Sequence, residues 1–289
     1  MNYGSIEAGG TKFVCAIGNE NFQIEDRIQF STTDPKETLY KAKEYLKKFQ
    51  VDALGIASFG PIDINEKSSK YGYITNTPKE RWQNTNFVGY MKEKMGGLPI
   101  SWTTDVNAAA YGEYIMWERQ GKKVDSLVYY TIGTGVGAGA VVRGDLIGGT
   151  GHPEMGHVLL KRHSNDNFPG ICPFHKDCLE GLVSGPTFEF RLNKRGEDVS
   201  KEDPIWDMIA YYIAQAAMQV TLILRPEKIV FGGGVVSEPL LEKVREELKY
   251  MLNDYIPLPD LRAYISMPVA ESNGSATIGN FALAQKIMM

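Results

Sequence analysis

The sequence predicts a globular α/β chain built as two lobes, and three observations carry that reading. Its 289 residues, 43% of them hydrophobic, suffice for two cores. Short β-prone runs alternate with one-sided helical stretches along the whole chain, with no low-complexity segment. A strand, a glycine-rich turn and a returning strand occur twice, at Tyr3 to Ile17 and again at Leu127 to Val142, as an internal repeat would give.

The elements follow in order. Tyr3 to Ala8 and Phe13 to Ile17 are strands joined by Gly9-Gly10-Thr11-Lys12, a hairpin with Cys15 in its apolar run as plain core. Pro35 to Gln50 reads as helix because Leu39, Ala42 and Leu46 share one face. Val51 to Ile64 is a buried strand running into a Gly60-Pro61 turn, and Tyr71, Tyr73 and Trp82 beyond it suit either a lid or an interface. Leu98 to Asp105 is a strand ending on an acid, and helix follows from Asn107 to Arg119. The second hairpin comes next, and later the strand Lys228 to Val230 opens into Gly232-Gly233-Gly234.

The stretch GTGVGAGA has the spacing of a dinucleotide-binding turn, but that turn must open a helix. Here Ala140-Val141-Val142-Arg143-Gly144 favours a returning strand. No G-x-x-x-x-G-K-[ST] run occurs, so a P-loop is excluded at the level of motif. Three glycine-rich turns remain, each able to bring backbone N–H groups close to a phosphate. Together they point to a nucleotide.

Charge excludes other partners. A net charge of -4, with no Lys/Arg run interleaved with aromatics, gives no reason to bind nucleic acid. MNYGSIEAGG lacks a basic and apolar leader pattern, and no apolar stretch approaches the roughly 20 residues that span a bilayer, so no membrane partner is expected and the cytoplasm is the expected compartment. Three cysteines are too few for a disulfide scaffold.

The segment 151–181 holds all four histidines and two of the three cysteines. His157, Cys172, His175 and Cys178 supply two nitrogens and two sulfurs, the donor set of a closed tetrahedral zinc site, and the C-x-x-H-x-x-C part is compact enough to wrap one ion. Four protein ligands leave no open position, so the metal is expected to be structural. His152 is an alternative to His157 on spacing alone; His163 is expected to face solvent. Asp105 has two readings, and position alone favours the first: a helix cap or first-turn acid, or a proton acceptor at the carboxyl end of a strand, where open α/β sheets bind ligands.

Six motifs in order, IEAGGTK, TDVNAAAYGE, TIGTGVGAG, GHPEMGH, CPFHKDCLEG and IVFGGGVV, resemble the ROK family of sugar kinases over nearly the whole chain, and most resemble its bacterial zinc-containing fructokinases. The resemblance implies the actin-like, ribonuclease-H-like fold with two mixed-sheet lobes closing over sugar and ATP. The lobes are expected at 1–119, joined by a C-terminal helix at 275–289, and at 120–274 with the zinc-binding segment 151–181. It implies ATP-dependent phosphorylation of a hexose, fructose first, with glucose, mannose or an N-acetylhexosamine, or a silent sugar sensor, as alternatives.

The same resemblance distributes roles. Asp105 becomes the catalytic base, with Asn107 beside the substrate. Gly9, Gly10, Thr11 and Lys12 form one phosphate turn and Gly133, Thr134, Gly135 and Gly137 the other. Gly232, Gly233, Gly234, Val235 and Val236 form the adenosine turn, with Gly185 and Pro186 as a further wall. Glu7 stands where the fold places an acid for Mg²⁺. Glu154, His157 and Glu180 become sugar-side residues, and the second histidine of GHPEMGH, His157, becomes the zinc ligand. A homodimer is expected.

Overall fold

Both glycine-rich hairpins form. In the computed structural model, which describes residues 1–270 and 274–289, each hairpin seeds the sheet of one of two units. The first unit is Met1–Lys122 with Asp145–His152 and Val269–Met289; the second is Lys123–Gly144 with Pro153–Pro268. The stretch 271–273, inside the expected second lobe, lies outside the described residues.

In the first unit β1 (Asn2–Ala8) and β2 (Lys12–Asn19) pair antiparallel, and β3 (Ile24–Ser31) adds to β2. β4 (Ala53–Ser58) and β7 (Ile100–Thr104) join in parallel, giving the order β3-β2-β1-β4-β7. β1 and β4 are buried at successive positions, so both faces of each strand are covered, and in β4 the sequence is accordingly apolar or small throughout. β3 is an exposed edge carrying Glu25, Asp26 and Arg27, charges that discourage further strand pairing. The short strands β5 (Tyr73–Ile74) and β6 (Thr85–Asn86) form a separate antiparallel pair, and β10 (Asp145–Leu146) follows the Arg143-Gly144 turn.

Helix α1 (Pro35–Leu46) starts where the Asp34 carboxylate accepts from the Glu37 N–H at 3.1 Å, with Pro35 in the first turn where no N–H is needed. It packs on β2 and on α2 (Phe87–Lys94). Trp82, 2% exposed, belongs to the core with Phe13, Phe87 and Trp102, and its Nε1 donates to the Thr33 carbonyl. The lid or interface expected of it is ruled out. Tyr71 is half-buried against the same core.

Helix α3 (Asp105–Arg119) packs against α9 (Ser275–Lys286), which also covers β1 and β4. The two helices touch through Gly112 and Gly279: a Cβ on either would lie within 2 Å of a carbonyl oxygen of the other helix. The buried Glu113 carboxylate accepts from the N–H groups of Val269 and Ala270 and from the Ser275 hydroxyl, so no charge is left unpartnered there.

The second unit repeats the plan. β8 (Ser126–Ile132) and β9 (Val136–Val142) pair antiparallel, then β11 (Lys228–Gly232) and β12 (Ile265–Ser266) extend the sheet in parallel from β8. Helices α4 (Leu179–Val183) and α5 (Pro186–Leu192) precede α6 (Ile205–Ile223), which is apolar nearly all round and buried. Amphipathic α7 (Glu238–Leu252) lays Leu240, Leu241, Val244 and Leu248 inward beside α6, and α8 (Leu261–Tyr264) leads into β12. Among the described residues no helix is long and apolar enough to cross a membrane.

Candidate active site

In the first unit the parallel strands place their carboxyl ends in line. Ala8 pairs with Ser58 and Ser58 with Thr104, so the turn after β1 and the start of α3 share one sheet edge, two strands or roughly 10 Å apart. The turn is tight: Gly9 N–H donates to the Lys12 carbonyl at 2.9 Å, and the Thr32 hydroxyl donates to the Gly9 carbonyl at 2.7 Å. Thr11 and Lys12 project to solvent.

The two readings of Asp105 separate here. Thr104 is the N-cap, its hydroxyl accepting from the Asn107 N–H at 3.2 Å, and Asp105 is the first helical residue, accepting from the Val106 N–H at 2.9 Å. Thr104, not Asp105, makes the cap, and Asp105 takes the first-turn place in that reading, satisfying one free backbone N–H. Asn107 is buried and donates to the Thr103 hydroxyl at 3.2 Å, while its Oδ1 has no partner. Glu7, near the end of β1, also has an unpartnered buried oxygen, Oε2. Burial first, then the nearby Asp105 charge, raises its carboxyl to about 7, although Arg27 and Lys12 pull the other way.

In the second unit Gly133, Thr134, Gly185, Pro186, Gly234, Val235 and Val236 line one pocket of about 550 Å³. Two of the three glycine turns therefore meet, and the turn at Gly9 belongs to the other unit. The Gly185 N–H donates to the Gly133 carbonyl at 2.7 Å, tying the start of α5 to the hairpin turn. Gly233 has φ +94°, and a Cβ there would lie 2.3 Å from the Ile132 carbonyl oxygen, so only glycine lets the chain leave β11 this way. Gly137 pairs with Thr131 inside the hairpin, and Gly232 is the last residue of β11, packed under the Tyr129 hydroxyl; neither lines the pocket. Sequence reasoning missed the opposite wall, where Glu189, Arg195, Glu197, Lys201 and Trp206 sit. They come from the end of α5, the loop after it and the start of α6, and no single local pattern marks them together.

The thiol–imidazole group also assembles. One ligand atom from each of His157, Cys172, His175 and Cys178 lies within 4.8 Å of all the others. His157 Nδ1 is 3.7 Å from Cys172 Sγ and 3.5 Å from Cys178 Sγ, and His175 Nδ1 is 3.9 Å from Cys172 Sγ. Zinc bonds of about 2.0 to 2.3 Å give tetrahedral edges of about 3.3 to 3.8 Å, so the donor set fits that ion. His152 falls in the first unit, with its ring beside Gly60, which leaves His157 as the ligand-placed histidine. His163 is half-buried against the edge of Tyr211 rather than facing solvent.

Two further contacts hold this segment. Leu159 and Cys178 form a β-bridge, and the Leu179 N–H donates to the Val158 carbonyl, so the backbone itself brings His157 to Cys178. Asp166, 3% exposed, accepts both Arg191 guanidinium N–H groups at 2.8 and 2.9 Å and the Tyr212 hydroxyl at 2.6 Å. Burial opposes its charge, but these hydrogen bonds win and hold the carboxyl well below the usual range. Glu180 accepts from the Val136 N–H at 3.0 Å, and Glu154 is exposed just before the turn Met155–His157.

A strand-end carboxylate beside one glycine turn and a pocket walled by two more are the parts that phosphoryl transfer requires, since that reaction is mostly positioning and charge neutralisation. The ROK family pattern matches residues 3–287, and the chain belongs to the ROK family. It is 55% identical to a fructokinase of Streptococcus mutans over 99% of this chain and 98% of that protein. It is 52% identical to a fructokinase of Lactococcus lactis subsp. cremoris, over 99% and 97%. A ROK family glucokinase of Streptomyces griseus, solved in complex with glucose and AMPPNP, has the same fold, with a TM-score of 0.78, 20% identity, and 99% and 100% of the two chains covered.

Proposed function

We propose that this chain is an ATP-dependent fructokinase, forming fructose 6-phosphate with Asp105 as the base. The observation that carries the reading is identity above 50%, over nearly full length, to fructokinases of two organisms. Asp105 accepts the proton of the sugar hydroxyl as that oxygen bonds to the γ-phosphorus and the bond to the ADP oxygen breaks. Thr104 makes the helix cap, so that role does not fall to Asp105. The orphaned Asn107 Oδ1 suits a hydroxyl donor, so Asn107 orients the sugar.

The pocket at Gly133, Gly185 and Gly234 holds the nucleotide, with Thr134 adding a hydroxyl, and Gly9 to Lys12 take the phosphate that is transferred. Glu154, His157 and Glu180 accept or donate to the remaining sugar hydroxyls. Glu7 fits a divalent cation, because its buried Oε2 has no hydrogen-bond partner and a second carboxylate, Asp105, acts on it. Mg²⁺ would be held there and supply neutralisation of the phosphate oxygens. His157, Cys172, His175 and Cys178 would hold Zn²⁺ as a closed structural site, bracing the segment that carries Glu154 and Glu180.

The test is coupled ADP release across a panel of fructose, glucose, mannose and N-acetylhexosamines. Fructose with the highest kcat/KM is the expected result. A different preferred sugar overturns the substrate, and sugar binding without ADP release from any of them overturns the kinase in favour of a sensor.

A further inference from the structure

The loop 75–84 between β5 and β6 carries a lysine that the reaction as described leaves unused. Its scaffold is rigid. Thr77 is buried, the Gln83 side chain donates to the Thr77 carbonyl at 2.9 Å, and Trp82 is locked in the core. The Lys79 side chain runs across the glycine turn: a Cβ built on Gly10 would lie 2.7 Å from Lys79 Cε and 3.6 Å from Nζ. Among the described residues Nζ makes no ion pair or hydrogen bond. A cation laid over a backbone turn, without a carboxylate to answer it, is arranged for an anion.

The position within the sheet says which anion. The turn at Gly9-Gly10 and the start of α3 at Asp105 share one carboxyl edge, through the register Ala8, Ser58, Thr104. A phosphate seated on this turn is therefore the one nearest the base. We propose that Lys79 binds the γ-phosphoryl group during transfer, acting with Lys12 of the same turn. Gly10 leaves room for this, because a Cβ there would meet the lysine's Cε at 2.7 Å and push the end of the side chain aside. The inference rests on ATP as donor and Asp105 as base.

The experiment uses the full chain and its Lys79→Met and Lys79→Arg variants. Lys79→Met should lower kcat by about 10²-fold, the loss typical of one charge-stabilising group. Fructose KM should stay within about twofold of wild type and melting should not change, since Lys79 is exposed. Lys79→Arg should recover most of the rate. Calorimetry is the second readout: Lys79→Met should weaken a non-hydrolysable ATP analogue and leave ADP binding as it was.

Retained kcat overturns the proposal. So does equal weakening of analogue and ADP, which would place Lys79 on the inner phosphates, or a rise in fructose KM alone, which would place it on the sugar. If the wild type turns over no sugar, the fructokinase reading fails, and the analogue-against-ADP comparison still decides the lysine.

Discussion

The two hairpin turns have the same backbone plan and opposite surroundings. The turn of the first unit ends in the exposed Lys12, is crossed by Lys79, and stands near two carboxylates, Glu7 and Asp105. The turn of the second unit runs into the apolar Val136 and is tied to its own unit: the Gly185 N–H donates to the Gly133 carbonyl and the Glu180 carboxylate accepts from the Val136 N–H. On the proposed function, one of these turns serves the chemistry and the other holds the nucleotide. What differs is which side chains the flanking loops deliver.

The strongest way to break that comparison is Asp105→Asn. Turnover should fall by roughly 10²- to 10⁴-fold, the range for a general base, with ATP binding and melting temperature unchanged because Thr104 keeps the cap. Steady-state kinetics with thermal melting checks it. Near-normal turnover, or a lost fold, would make Asp105 a structural acid and remove the chemical character of the first turn.

Asp166→Asn probes the other unit and should spare the chemistry. Removing one partner of a buried ion pair leaves Arg191 without its counter-charge, a loss of about 3 kcal/mol. Denaturant unfolding should show this while kcat at saturating substrates stays close to wild type. The pH dependence has a definite sign. The folded carboxyl is depressed, so its contribution is present above the ordinary carboxylate value near 4 and is lost as pH falls below it. Acid should therefore narrow the gap between wild type and variant.

How much of this was legible in the sequence follows from how local each signal is. Glycine turns, the strand-end Asp105 and the Cys–His spacing are short-range patterns, and the structure forms the turns and gathers the four metal-type ligands. Asp166 was invisible because its meaning depends on Arg191 and Tyr212, side chains from two later helices. Lys79 was invisible because only the fold lays it on Gly10. Trp82 looked exposed amid charged neighbours, yet the β5–β6 loop folds it inward. The capping role offered to Asp105 belonged to the residue before it, a difference of one position that spacing cannot resolve.

A smaller effect is expected from Cys178→Ser, which should cost zinc retention, read by elemental analysis, and raise fructose KM about tenfold, the low end of losses at metal centres. ATP affinity should hardly move, because the pocket turns need no metal. The rise is modest because the Leu159–Cys178 bridge and the Leu179 to Val158 hydrogen bond still hold the two strands together. Protein without zinc that is fully active would remove the bracing role, and zinc loss that abolished only the chemical step would indicate an open catalytic metal.

Glu7→Gln gives the smallest and most specific test, because it asks whether the first turn is charged in the way the comparison requires. The ordinary carboxyl value is 4.5, and burial with Asp105 raises Glu7 to about 7. Between those two values the folded chain holds a proton that the unfolded chain has released, so wild-type stability falls as pH rises through that window and levels off above 7. Glutamine cannot ionise and does not share the fall. The variant should therefore gain on wild type between about pH 5 and pH 8, by on the order of 1 kcal/mol. Melting curves at both pH values, without divalent cations, measure this gain. Adding Mg²⁺ at pH 8 should stabilise the wild type more than Glu7→Gln, since the ion would give the buried Oε2 the partner it does not have in the protein. A pH-independent difference would mean that Glu7 is ordinarily ionised, and that the two turns differ less in charge than their flanking residues imply.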